Sequence, residues 1–234
     1  MEPAVAIPES APPLVVDIDG TLTDDRRALD PRVIPVLRAW PNDIVVATGK
    51  SMPYPVALCE FLAIEPNLIA ENGGVVLVGR EGTLEIVGDR TAANAMVGDF
   101  EAAGYDLGWG AADLVNRWRE TEVAVAKEAV SRAVLAEFAA EHGLAVVDTG
   151  YAYHVKSPDV DKGTGLVAVA EGMGRDPGEF VAVGDSENDA PMFELVGRSV
   201  AVANADETAT AAADFVTEGA FADGFFEAIR WVTG

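Results

Sequence analysis

Short unbroken apolar runs alternate along this chain with stretches in which apolar residues recur every three or four positions. LVVDI (14–18), DIVVATG (43–49) and NLIAENG (67–73) are of the first kind, as expected of strands covered on both faces. PRVIPVLRAW (31–40) and SMPYPVALCEFLAI (51–64) carry helical spacing, the first with Pro31 in its opening turn behind Asp30 as a cap. The order βαβαβ predicts a doubly wound α/β sheet.

After residue 74 the rhythm changes. VVLVGREGTLEIVGD (75–89) predicts an antiparallel hairpin turning near 79–82, and TAANAMVGDFEAAG (91–104) a helix. ETEVAVA (120–126) alternates like a half-buried strand. KEAVSRAVLAEFAAEHG (127–143) predicts an amphipathic helix stopped by Gly143, and LAVVDTG with YAYHVKS (144–157) a closing strand pair. The α/β order then resumes with a helix at 161–174 and a strand at 179–189. APMFELVG (190–197), SVAVANA (199–205), DETATAAA (206–213) and FADGFFEAIRWVT (221–233) follow as helix, strand, helix and helix. The expected fold is a Rossmann-like parallel-sheet core, residues 1–79 and 156–234, with a small α+β domain, 80–155, inserted in it.

Half of the 234 residues are hydrophobic, enough for one large domain with a smaller module. The single cysteine, Cys59, excludes an intrachain disulfide, and its apolar helical setting predicts a buried, inert thiol. No apolar run approaches the ~20 residues of a membrane span. MEPAVAIPESAPP (1–13) reads as a short disordered lead-in rather than a signal peptide, so a cytoplasmic protein is expected. The charge balance is extreme, 39 acidic against 16 basic residues. Such a surface repels nucleic acid and anionic membranes, and neither is expected as a partner. Disorder is excluded by the apolar content. Molar salt would screen the self-repulsion, since the Debye length falls to about 3 Å at 1 M, so the composition predicts a halophilic source.

The chemistry gathers at the strand ends. Asp17 and Asp19 are two apart at the end of the first strand and point to one face. In open α/β sheets, ligands bind beyond the carboxyl ends of the strands. A second acidic strand end stands at Gly184-Asp185-Ser186-Glu187-Asn188-Asp189. Carboxylates brought together there need a cation, and oxygen ligands without His or Cys suit Mg²⁺. Thr48 and Gly49 follow the second strand, offering a hydroxyl and backbone N–H groups at a helix start, as phosphate requires. Lys162 opens a helix in a chain whose other lysines are Lys50, Lys127 and Lys156. Near the carboxylates it would pair with them and with a phosphoryl group. Each of these signals alone is as readily a turn, a cap or a solvated charge. Their common placement on one sheet points to a site.

DIDGTLT, ATGKS, VDKG and GDSENDAPM resemble, in order, the four motifs of the haloacid dehalogenase superfamily of phosphatases. The insert and AENGG (70–74) resemble the Cof-like branch with its type 2 cap. The resemblance implies Asp17 as nucleophile and Asp19 as general acid and base. It implies Mg²⁺ held by Asp17, the backbone carbonyl of Asp19, Asp185, and Asp189 or Asn188. Thr48, Gly49 and Lys162 would grip the phosphoryl oxygens, and Thr21 would help orient Asp19. TGK stands where the branch often has TGR, and Lys50 is given no role.

The short cap and Arg117-Trp118-Arg119-Glu120-Thr121-Glu122-Val123 most resemble archaeal phosphoglycolate phosphatases. Arg117 and Arg119, two apart on an expected strand, would share a face toward the far carboxylate of such a substrate. His154 is expected to be structural. The expected partner is a small phosphorylated metabolite, the expected assembly a monomer or homodimer. A sugar-phosphate phosphatase of the sucrose-phosphate or mannosyl-phosphoglycerate type remains the alternative. A phosphomutase or a non-catalytic sensor of a phosphorylated metabolite fits less well.

Overall fold

The computed structural model describes residues 5–88 and 90–234. The first half alternates β1 (Leu14–Asp17), α1 (Val33–Ala39), β2 (Ile44–Ala47), α2 (Pro53–Leu62) and β3 (Asn67–Ala70), then β4 (Val75–Val78) and β5 (Leu84–Ile86). An inserted stretch holds α3 (Arg90–Ala102), β6 (Val123–Ala126), α4 (Arg132–Glu141), β7 (Ala145–Asp148) and β8 (Ala152–Lys156). The chain closes with α5 (Lys162–Met173), β9 (Val181–Gly184), α6 (Ala190–Phe193), β10 (Arg198–Ala201), α7 (Glu207–Ala212), β11 (Phe215–Val216) and α8 (Phe221–Thr233).

Eight strands form one sheet in the order β11-β10-β9-β1-β2-β3-β4-β5, parallel from β11 through β3 and antiparallel beyond. Alternate residues of β1 enter different cores, Leu14 and Val16 one and Val15 the other. The first core is closed by α1, α2 and α8, the second by α5, α6 and α7. Continuous apolar strands arise because both faces are covered, which is why 14–18 and 43–49 read clearly. The thiol of Cys59 lies inside the first core, and burial pushes it up to about 12.

A three-stranded sheet, β6-β8-β7, packs Val125, Val146, Tyr153 and Val155 against Met96 and Phe100 of α3 and Leu135 and Ala139 of α4. The opposite face of β8 carries Ala152 and His154, which turn to the end of the large sheet.

Four expectations change. The lead-in is ordered from residue 5: Val5 and Ala11 are buried, and the carbonyls of Ala11 and Pro12 accept from Asn42 and the Trp40 indole. Residues 1–4 lie outside the described residues. The boundary expected at 79/80 falls inside a hairpin, because β5 pairs with β4 in the large sheet; Asp89 at the end of that run is not described. The strand at 120–126 begins at Val123 and is buried throughout rather than alternating. A loop covers its edge, with the Asn116 amide exchanging bonds of 2.7 and 2.9 Å with the backbone of Ala124. Asp30 accepts from the Arg32 N–H, but α1 starts only at Val33, after Pro31. No helix among the described residues is long and apolar enough to cross a membrane.

Candidate active site

Sheet order alone brings the motifs together. Strand β1 lies between β9 and β2, so Asp17 ends its strand between the turn at Asp185 and the turn at Thr48 and Gly49. The fourth group arrives on α5, whose start is fixed by a capping box in which Asp161 and Thr164 exchange bonds of 2.8 and 3.0 Å. Lys162, the first residue of that helix, is fully buried. Its Nζ lies 2.7 Å from Asp17 Oδ1 and 2.6 Å from Asp189 Oδ1. Asp189 turns its other oxygen to the N–H groups of Asp185 and Ser186, at 2.9 and 3.0 Å. Gly20, at φ 86°, is required by closeness: a Cβ there would lie 2.0 Å from Asp185 Oδ2.

One oxygen from each of Asp17, Asp185 and Asp189 falls within 4.8 Å of the others. Burial, reinforced by Asp189 and Asp19 and opposed by Lys162, pushes Asp17 up to about 7. Burial and then the neighbouring Asp17 hold Asp185 well above the usual carboxylate range. Burial would depress Lys162, but the two carboxylates outweigh it and hold the ammonium charged. Two buried acids and the half-buried Asp185 thus face one lysine, and Asp17 Oδ2 is buried with no hydrogen-bond partner. An all-oxygen donor set with an orphaned carboxylate oxygen fits Mg²⁺. Asp17 and Asp185 have oxygen to give it; Asp189 has both oxygens engaged.

A cavity of about 240 Å³ opens over Asp17. Its core wall includes Thr48, Gly49 and Ser51, whose buried hydroxyl has no partner, and its lid is Tyr151, Ala152 and His154. Asp19 stands at the mouth, 3.0 Å from Lys50 Nζ and 3.1 Å from Arg27 Nη2. Behind the lid, Glu122 is wholly buried and accepts from Asn72 at 2.9 Å, from His154 Nδ1 at 2.6 Å and from Arg119. Burial opposes its ionisation, but His154 and Arg119 hold it below the usual range. Burial also lowers His154, against the pull of the Glu122 carboxylate beside its Nδ1. Asn72 in turn accepts from Asn188 at 2.8 Å, linking lid to acidic turn.

A family model for haloacid dehalogenase-like hydrolases matches residues 14–100 and 121–229. The chain belongs to that family. A phosphoglycolate phosphatase of Haloarcula marismortui is 58% identical over 218 residues, covering 93% of this chain and 96% of its own. One of Natronomonas pharaonis is 57% identical over 217 residues, with the same shares of 93% and 96%. A solved protein of Thermoplasma acidophilum has the same fold, with a TM-score of 0.80 at 24% identity over 95% of this chain and 98% of that one.

As a haloacid dehalogenase-like hydrolase the chain is an enzyme, and the geometry sorts its expected residues. Asp17, Asp19, Thr48 and Gly49 line the cavity with Asn188, while Lys162, Asp185 and Asp189 meet around Asp17. Thr21 does not orient Asp19: its hydroxyl is buried without a partner, and Arg27 and Lys50 hold that carboxylate instead. Arg117 and Arg119 share no strand face. They lie in an irregular loop, where Arg117 is exposed and Arg119 is buried against Glu122 and the Gly49 carbonyl at 2.9 Å. The family match leaves out 101–120, which is the end of α3 and this irregular stretch. Sequence reasoning missed Arg27, Lys50, Ser51, Asn72 and Glu122. The rarity of lysine was the available signal for Lys50, and the serine of ATGKS for Ser51; nothing local marks Arg27 or Glu122.

Proposed function

We propose that the protein is a Mg²⁺-dependent phosphomonoesterase hydrolysing 2-phosphoglycolate to glycolate and phosphate through an aspartyl-phosphate on Asp17. The observation that carries this reading is the state of Asp17: one oxygen anchored by Lys162, the other buried and unpartnered above an open cavity. A carboxylate so held is aimed by one oxygen and free to react through the other.

Asp17 attacks phosphorus, the new P–O bond forming as the ester P–O bond breaks, and Asp19 gives its proton to the departing glycolate oxygen. Water then attacks the phosphoryl group, Asp19 takes its proton, and Asp17 is released. Thr48, Gly49 and the unpaired hydroxyl of Ser51 bind phosphoryl oxygens, with Lys162 charged beside them. Asp17, Asp185 and the Asp19 carbonyl would hold Mg²⁺, with Asp189 completing the negative field, and the ion supplies charge neutralisation.

Two features support the substrate. Relatives sharing more than half their residues with this chain bear the name phosphoglycolate phosphatase. The cavity, about 240 Å³, is smaller than the ~300–1,000 Å³ typical of sites for larger ligands, which disfavours disaccharide phosphates. The enzyme would work in a salt-rich cytoplasm as a monomer or homodimer, with a small metabolite as its partner. Phosphate release in molar KCl with Mg²⁺ tests the reading over phosphoglycolate, hexose phosphates and disaccharide phosphates. A strong preference for phosphoglycolate is expected; a preference for the sugars overturns the substrate.

A further inference from the structure

We infer that Arg27 and Lys50 form the receptor for the substrate's carboxylate, each taken over from Asp19 when substrate binds. This inference rests on the phosphoglycolate reading above.

The cations around the cavity fall into two kinds. Arg119 is committed elsewhere: its Nη1 goes to the Glu122 carboxylate and the Gly49 carbonyl, its Nε to the Val115 carbonyl, and the residue is buried. Lys162 is spent on Asp17 and Asp189. Arg27 and Lys50 are different, being partly exposed, lining the cavity and sharing a single acidic partner. Asp19 carries one negative charge against their two positive ones. The surplus is one positive charge, the complement of one substrate carboxylate.

Both cations are also held by aromatic rings in the cavity wall. The Arg27 guanidinium lies 3.4 Å from the centroid of the Tyr151 ring, on the lid, and Lys50 Nζ lies 5.5 Å from that of Tyr54. Such contacts keep a cation in place while its carboxylate partner is exchanged. The backbone accepts strain to do this: Arg27 stands at φ 65°, in a turn wound around the Asp24 carboxylate, which accepts from the N–H groups of Arg26 and Ala28. A left-handed arginine at a cavity mouth is a cost retained where a site needs it. An arriving carboxylate draws both cations toward itself and leaves Asp19, no longer ion-paired, free to take up the proton it then donates and to swing to the ester oxygen.

The test compares phosphoglycolate with 2-hydroxyethyl phosphate, which is similar in size but ends in an alcohol. For wild type, Arg27→Gln and Lys50→Gln, kcat/KM is measured on both esters in molar KCl with Mg²⁺. Each substitution is expected to lower the ratio of phosphoglycolate to hydroxyethyl phosphate by roughly 10- to 100-fold. Lys50→Arg, which keeps the charge, restores most of it. Calorimetry of Asp17→Asn protein with phosphoglycolate should show the same weakening when either cation is also removed. A high wild-type ratio that the variants leave unchanged overturns the receptor alone. A wild-type ratio near one overturns the substrate reading and the receptor together.

Discussion

Two sets of buried acids lie on either side of the lid. At the junction of lid and core, Glu71 accepts from the N–H groups of Glu120 and Thr121 and from the Thr121 hydroxyl, and Glu122 from Asn72, His154 and Arg119. At the sheet end, Asp17 keeps one oxygen without a partner. Among the described residues, the half-buried Asp185 side chain has long contacts there, 3.4 Å from Asn204 and 3.5 Å from Ser186. Asp17 is buried as fully as the two glutamates, and what differs is satisfaction. A buried acid whose oxygens are all engaged acts as a fastener, whereas one left short of partners is a place prepared for a ligand.

The largest expected effect breaks the unsatisfied set. Asp17→Asn should lower turnover by on the order of 10⁴-fold or more, while circular dichroism shows an intact fold. Next comes the satisfied set. Glu122→Ala leaves the Arg119 guanidinium and two further donors buried without their acceptor, and should cost about 3–5 kcal/mol in denaturant unfolding in molar KCl. A loss below about 1 kcal/mol would erase the contrast between the two clusters.

Metal and pH sharpen the comparison further. Asp17 is raised from 3.8 to about 7, so the folded protein binds more protons than the unfolded one in that window. Its contribution is fully present below the ordinary value and is lost as pH rises through about 7. Without metal, wild type should therefore lose stability relative to Asp17→Asn between pH 5 and 8, seen as diverging melting temperatures in EDTA. Mg²⁺ should reverse the trend, stabilising by about 2.7 kcal/mol where it stands in hundredfold excess over its Kd and, at one fixed concentration, more strongly at pH 8 than at pH 5. The smallest effect belongs to Arg117→Ala, expected within about 0.5 kcal/mol of wild type.

The core was legible because its signals are local. Strand ends lie where apolar runs stop, so Asp17, Thr48 and Asp185 were placed by reading along the chain, and sheet order did the rest. Lys162 stood out because lysine is scarce and the aspartate before it caps a helix. The lid was less legible for a physical reason. Residues 103–120 lack regular elements, and their positions are set by contacts with distant groups such as Ala124 and Gly49. Period-two reasoning therefore paired Arg117 with Arg119 on a strand that does not form. Glu122 and Arg27 draw their meaning from partners 32 and 8 residues away, His154 and Asp19, which no local pattern announces.

The central claim is that Asp17, with its free oxygen, becomes covalently phosphorylated. The direct measurement is borohydride trapping during turnover of phosphoglycolate with Mg²⁺, followed by tandem mass spectrometry of the peptide spanning residue 17. The account predicts reduction of Asp17 to homoserine, dependent on substrate and absent at Asp19. Rapid turnover with Asp17 unmodified, or reduction at another carboxylate, would contradict it.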